Sequence, residues 1–349
     1  MKPRLALFPS VALLTLALPL ACAAATPVYR TFGDWVVACD NGARCEAIGM
    51  QDAYPQLVLR LVLEGGPTAE PVLTLESDAP VDPRGLRLDG GRFAAAALVR
   101  PGEGVQSIGR DGAQVRAFLD AIRNGAHLQA GAGEDAPTAS LSGLSAALLL
   151  IDETQGRLDT VTALRRRGPL PAARVPAAPV LPAPVPPVPA PSLGEDEAQA
   201  LIARVRLQAA PEVAREDCFV DAAEAFDAAG ALDGDEALVM LECWRGAYQS
   251  SSLLFRTRRD GSGKAVRLRL PLPVQVEGER RVVDAFTNVD FSAGHLSHMA
   301  KGRGIADCGE SASWTYDGRD FRLQRFHLLD RCRGGAPGEW PALWRSRGD

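Results

Sequence analysis

Histidine is scarce in this chain, with four in 349 residues, and aromatic side chains supply only 6%. No HExxH pair, no complete phosphate-binding glycine loop and no full calcium loop can be read, so the chemistries that announce themselves by motif are missing. Beyond the N-terminus no apolar run is long enough for a transmembrane helix. Basic residues do not dominate: 38 Lys and Arg stand against 43 Asp and Glu, a formal charge of −5. An acidic chain is a poor partner for nucleic acid or an anionic lipid surface.

Several near-motifs fall short. Gly143-Leu144-Ser145-Ala146-Ala147 approaches the nucleophile elbow but lacks its last glycine and a strand-to-helix frame. Asp260-Gly261-Ser262-Gly263-Lys264 has the lysine of a P-loop without the hydroxyl residue after it, and reads as a turn between strands. Asp233-Gly234-Asp235-Glu236 lacks the alternating ligands of a calcium site. His295 and His298 are the only close histidine pair, without an acidic ligand nearby, and read as polar loop or strand edge. The sequence therefore nominates no catalytic residue, no metal ligand and no cofactor.

What is present begins with MKPRLALFPSVALLTLALPLACAAAT. Lys2 and Arg4, then the apolar stretch Leu5 to Leu20, then small residues, form a secretory signal peptide over 1–25, with cleavage after Ala23 or Ala25. Cys22 offers an alternative, a lipid anchor, but Pro19 stands where a lipobox carries leucine. Cleavage leaves Cys39, Cys45, Cys218, Cys243, Cys308 and Cys332, an even set in a chain bound for an oxidising compartment, which implies disulfides. A periplasmic or secreted bacterial protein is expected.

The run from Pro169 to Pro191, PLPAARVPAAPVLPAPVPPVPAP, holds ten prolines. Each removes a backbone donor and restricts its predecessor, so polyproline II is expected. At about 3.1 Å per residue the run reaches up to ~70 Å if straight. It reads as a linker over 168–193 between an N-terminal domain, 26–167, and a C-terminal domain, 194–349. The predicted class is α+β and mainly β, two antiparallel β-rich domains with packed helices.

In the first domain, Phe32 to Cys39 and Cys45 to Met50 read as strands about an Asp40-Asn41-Gly42 turn, and a Cys39–Cys45 bond would staple that hairpin. Gln56 to Glu64 alternates cleanly, with Leu57, Leu59, Leu61 and Leu63 on one face. PVLTLES, GLRLDG and RFAAAALV continue as short strands. Asp111 caps a helix carrying Val115, Phe118, Leu119 and Ile122, and a second helix from Ser142 carries Leu144, Leu148 and Ile151. A further helical turn is expected from Asp159 to Arg165–Arg167, with Gly168 as its cap.

After the run, a helix from Ser192 or Glu195 presents Leu201, Ile202 and Val205. Glu212 to Ala229 reads as a helix holding Cys218, and Ala237 to Trp244 as a strand holding Cys243, so a Cys218–Cys243 bond would tie helix to sheet. Short strands follow over 248–256, 265–270 and 282–286. Trp314, Tyr316, Phe321, Leu323 and Phe326 fit a hairpin turning at Asp317-Gly318, which brings Cys308 towards Cys332. Trp340 and Trp344 are expected to pack from a terminal helical turn. Lys301, Arg303 and Trp314 flank a glycine-rich segment, and a cation beside an aromatic ring suits glycan or carboxylate recognition.

The stretches FGDWVVACDNGARCEAIGMQ, LSGLSAALLLIDETQGRLDTVTALRRRG, CWRGAY and KGRGIADCGESASWTYDGRDFRL together resemble the family known as domain of unknown function 1176. That resemblance implies an exported bacterial protein with six characteristic cysteines and brings no activity with it. Ile305-Ala306-Asp307 departs from the pattern, which more often carries glycine before the Asp. The first domain also resembles the invasion-associated locus B proteins in its Gly-Asp-Trp and cysteine segment. The expected function is a non-catalytic envelope module that binds another protein. The alternatives are a cell-wall-directed hydrolase, and a carbohydrate-binding or enzyme-inhibiting module at Lys301, Arg303 and Trp314.

Overall fold

A computed structural model describes residues 25–51, 57–77, 81, 83–93, 105–107, 111–276, 279–333 and 335–348. Residues 1–24 of the expected signal peptide, Cys22 included, lie outside the described residues, as does most of the strand expected over RFAAAALV.

The first sheet is antiparallel throughout, in the order β1 (Val28–Phe32), β2 (Trp35–Cys39), β3 (Cys45–Gly49), β4 (Val58–Leu63), β5 (Val72–Glu76) and β8 (Val105–Ser107). Cys39 pairs directly with Cys45 across the β2–β3 turn, and the two form a disulfide. A smaller sheet is made of β6 (Leu86–Leu88), β7 (Gly91–Arg92), β9 (His127–Ala130) and β10 (Thr138–Ser140). Helix α1 (Gly112–Ile122) starts where the Asp111 carboxylate accepts from Ala113 N, as its sequence predicts. Helix α2 (Leu144–Thr154) follows.

Alternation along the central strands explains how the layers stack. Trp35, Val37, Cys39 and Ala47 face a core shared with α1 and α2, where Phe118, Leu119, Leu148 and Ile151 are fully buried. Val36, Ala38 and Ile48 point the other way, and they too are fully buried. Successive residues of a strand face opposite sides, so an unbroken apolar run such as WVVAC marks a strand covered on both.

What covers the second face comes from beyond the proline run. Val36, Ala38, Ile48, Met50 and Tyr29 belong to one cluster with Leu254, Leu272, Phe286, Trp314, Phe326 and Leu343. Beyond the run one sheet holds β11 (Ala228–Ala231), β12 (Glu236–Arg245), β13 (Ser250–Arg258), β14 (Val266–Arg267) and β17 (Phe286–Thr287), of which β12, β13 and β17 supply the cluster, joined by the ribbon β15 (Leu270–Val276) and β16 (Glu279–Val283) and by a five-stranded sheet. That last sheet runs β18 (Asp290–Ser292), β19 (His295–Lys301), β20 (Gly309–Tyr316), β21 (Phe321–Leu329) and β22 (Ala342–Trp344). Helix α3 (Glu195–Arg215) covers the far side of β12 and β13 through Leu201, Ile202, Val205 and Ala209. The molecule is mainly β, with three α-helices among the described residues.

The proline run is extended, yet it does not hold two bodies apart at full reach. Leu170 bridges Thr160, Val175 is buried, and further along Arg347 N donates to Pro182 O at 2.8 Å. Val185 N donates to Gln324 Oε1, and Val188 N to Tyr316 O. Leu170, Val185 and Val188 thus spend their donors on the folded parts, and Val175 gains burial by lying on that surface.

Three local readings need correction. Residues 159–168 form turns, not a capped helical turn, because three successive amides bind one buried carboxylate, Asp152. The helix expected over Glu212–Ala229 ends at Arg215, where α3 stops before Asp217 at φ +52°. Residues 342–344 pair with β21 as a strand and not as a helical turn, although Trp340 does pack, 5% exposed.

Candidate functional site

The six cysteines among the described residues pair as expected: Cys39–Cys45, Cys218–Cys243 and Cys308–Cys332. The last of these explains one glycine. A Cβ on Gly302 would sit 2.4 Å from Cys308 Sγ, so the KGRG segment can cross the disulfide only without a side chain.

Lys301, Arg303 and Trp314 do not share one surface. Trp314 is 2% exposed and stacks edge-on against Phe286, with centroids 5.9 Å apart. It pairs with Leu296 near one end of β19, whereas Lys301 lies at the other end, opposite Gly309. Arg303 forms a bidentate ion pair with Asp307, at 2.7 and 2.5 Å. The exposed aromatic beside this segment is Tyr248, which packs next to Gly304, and Gln249 holds Lys301 by bonds to its N and O.

The near-motifs resolve into structural bonds. His295 and His298 sit three apart on a strand and so face opposite sides. His298 is buried; its Nδ1 accepts from Thr287 N at 2.9 Å, so Nε2 carries the proton and donates to Glu310 Oε1 at 3.3 Å. Burial works against the Glu310 carboxylate, but His298 and Arg281 outweigh it and hold its pKa below the usual range. Ser145 donates its hydroxyl to the Arg123 carbonyl at 3.1 Å, not to an imidazole or carboxylate. The Asp260 and Asp233 carboxylates each accept amides two or three residues on, which are turn-forming bonds. Among the described residues no group of three or more His, Cys, Asp or Glu could hold a metal ion.

A different segment presents itself to solvent. Between α3 and β11 the chain from Cys218 to Asp227 is irregular but firmly held. The Cys218–Cys243 disulfide pins one end to β12, and the Phe219 and Val220 amides both bind Cys243 O. The Asp221 carboxylate accepts from Ala223 N, and Phe226 N donates to Glu242 Oε2 at 2.8 Å. The Glu242 carboxylate pairs with Arg245, whose guanidinium lies 4.3 Å over the Phe226 ring. Asp227 in turn holds Arg206 of α3 at 2.5 and 2.7 Å.

On this braced segment Phe219 is 68% and Phe226 78% exposed. Full burial of one such ring is worth about 1.5–3 kcal/mol, so two left in water on a rigid loop are a standing source of binding energy. Their backbone is already ordered, which removes much of the entropic cost of docking.

Residues 29–347 match the family described as "Protein of unknown function (DUF1176)". Over 346 residues the chain is 34% identical to "Uncharacterized protein YpfG" of Escherichia coli (strain K12), an alignment covering 95% of this chain and 96% of that protein. No solved structure matches the chain.

Proposed function

The chain belongs to the DUF1176 family, and on that premise we propose that it is an exported, non-catalytic envelope protein that binds another protein. The observation that carries this reading is the disulfide-pinned segment 218–227 with Phe219 and Phe226 in solvent. Exposed aromatics on an ordered backbone are the anchors that dominate protein interfaces. The polar groups of the near-motifs, His298, Ser145, Asp233 and Asp260, are engaged in bonds within the fold, which supports binding over catalysis. Three disulfides agree with an oxidising compartment. We read 26–167 and 194–349 as two units that work as one body, with the proline run along their surface.

The test is site-specific photo-crosslinking in cells, with the photoreactive residue at Phe219 or Phe226 and, as control, at Leu207, which is 81% exposed on α3. A discrete protein adduct from the first two positions and none from Leu207 is expected. Equal adducts from all three, or none, would reject this surface.

One observation favours a second reading. Tyr248, 50% exposed beside the Lys301 to Ile305 segment, supplies the ring that a glycan would stack on, with Lys301 and Arg303 nearby. Weaker retention of the Tyr248→Ala protein on immobilised cell-wall glycan would support it.

A further inference from the structure

Arg165, Arg166 and Arg167 leave the chain where the backbone is held fixed. The carboxylate of Asp152, fully buried on α2, accepts from Leu164 N at 2.7 Å, Arg165 N at 2.8 Å and Arg166 N at 3.0 Å. Leu164 enters the core, and the three following guanidinia line an open groove of about 750 Å³. Asp120 of α1, Arg123 at the C-cap of that helix, and Ser145, Ala146 and Leu149 of α2 complete it.

The charges in this groove do not balance. Four arginines face one carboxylate, and Asp120 is already shared between Arg123 at 3.1 Å and Arg167 at 2.6 Å. Arg166 turns outward to Asp159 in an exposed pair, which competes weakly with any better partner. The Arg165 guanidinium makes no ion pair or side-chain hydrogen bond among the described residues, and the Nε of Arg123 is buried without a partner. In a chain of net charge −5 this local excess is not a by-product of general basicity.

The geometry points to a phosphate-binding groove: we propose that it takes the phosphate monoester of a small organic molecule. Guanidinium forks match oxyanions in two-point contact, and several of them suit a dianion with three terminal oxygens better than a lone carboxylate. Ser145 and Ala146 belong to the first turn of α2, the end of a helix that favours an anion. Ala146 and Leu149 give the groove an apolar wall for the organic part. Its concavity suits a small molecule and not a flat bilayer.

Calorimetric titration of the full mature protein with glycerol 3-phosphate, with glycerol and acetate as controls, tests this. Binding of the phosphate ester alone is expected. Raising the ionic strength from about 0.02 M to about 0.3 M should weaken it. Arg165→Gln should weaken it about tenfold or more, the loss of a charge-assisted contact. Because the Arg165 side chain supports no other group, that variant should melt with the wild type, and Arg165→Lys should recover part of the affinity. No heat from glycerol 3-phosphate at about 10 mM, about ten-thousandfold beyond a micromolar site, would overturn the proposal. So would unchanged affinity in Arg165→Gln, equal binding of acetate, or binding only to phosphatidylglycerol vesicles.

Discussion

Replacing Tyr29 with phenylalanine should weaken the whole molecule, not only its N-terminal strand. The Tyr29 hydroxyl donates to Asp330 Oδ1 at 2.6 Å and accepts from Asp330 N at 3.1 Å, closing a contact between residues 301 positions apart. The ring is buried in the cluster that joins both sides of the proline run. Burial, and then the Asp330 charge, push the phenol well above its usual range, so it stays protonated as the donor. A bond to a charged acceptor is worth about 1.5–3 kcal/mol, and the neutral one about 1. Asp330 is exposed, so water takes over part of its loss, and the net cost of Tyr29→Phe should be about 1–2 kcal/mol. For one cooperative body of this size that corresponds to a fall in melting temperature of about 1.5–3 °C. Tyr29→Ala, which also empties ring volume, should cost about 3–5 kcal/mol. Amide hydrogen exchange is the assay: protection should fall together in β2–β4 and in β20–β22. Loss confined to β1–β4 would refute the idea that the shared core makes the two units one cooperative body.

Three further outcomes are expected. Asp152→Ala should cost about 3 kcal/mol or more, since three amides lose their acceptor, and Asp152→Asn clearly less; chemical denaturation of both variants measures it. Asp317 has its pKa lowered to about 2 by the Asp320 amide and then by Arg322. A depressed folded pKa gives stability present above the unfolded value of about 3.9 and lost as pH falls towards 2, so Asp317→Ala should lose less stability than wild type between pH 5 and about 2 in acid titrations. Ala306 stands at φ +58°, where the family pattern more often has glycine; Ala306→Gly should stay within about 1 kcal/mol of wild type, while Ala306→Val should cost about 2 kcal/mol or more in the same melts.

The cysteine pairing was legible because spacing and turn chemistry are local. Cys39 and Cys45 flank one turn, and Cys308 and Cys332 lie just outside the open end of the β20–β21 hairpin. The alternation of Leu57 to Leu63 and the helical spacing of Val115 to Ile122 were equally plain. The segment carrying Phe219 and Phe226 was not. Read as a helix, residues seven apart fall on one face and pass for core. Only the positive φ of Asp217 and the pull of the Cys218–Cys243 bond turn them out to solvent. Trp314 misled in the opposite sense, since a tryptophan beside cations says nothing of burial until Phe286 is set against it.

By itself the sequence determined most of the strands and helices, which cysteines meet, and that the proline run is extended, because each depends on near-neighbour patterning, on local spacing or on fixed φ. The tertiary structure decided the rest. It brought Val36, Ala38 and Ile48 against residues more than 200 positions later, laid the proline run along the folded parts, and gathered Arg123 with Arg165, Arg166 and Arg167. Those outcomes turn on which apolar faces are left to cover each other once local structure has formed, and no pattern along the chain records that choice.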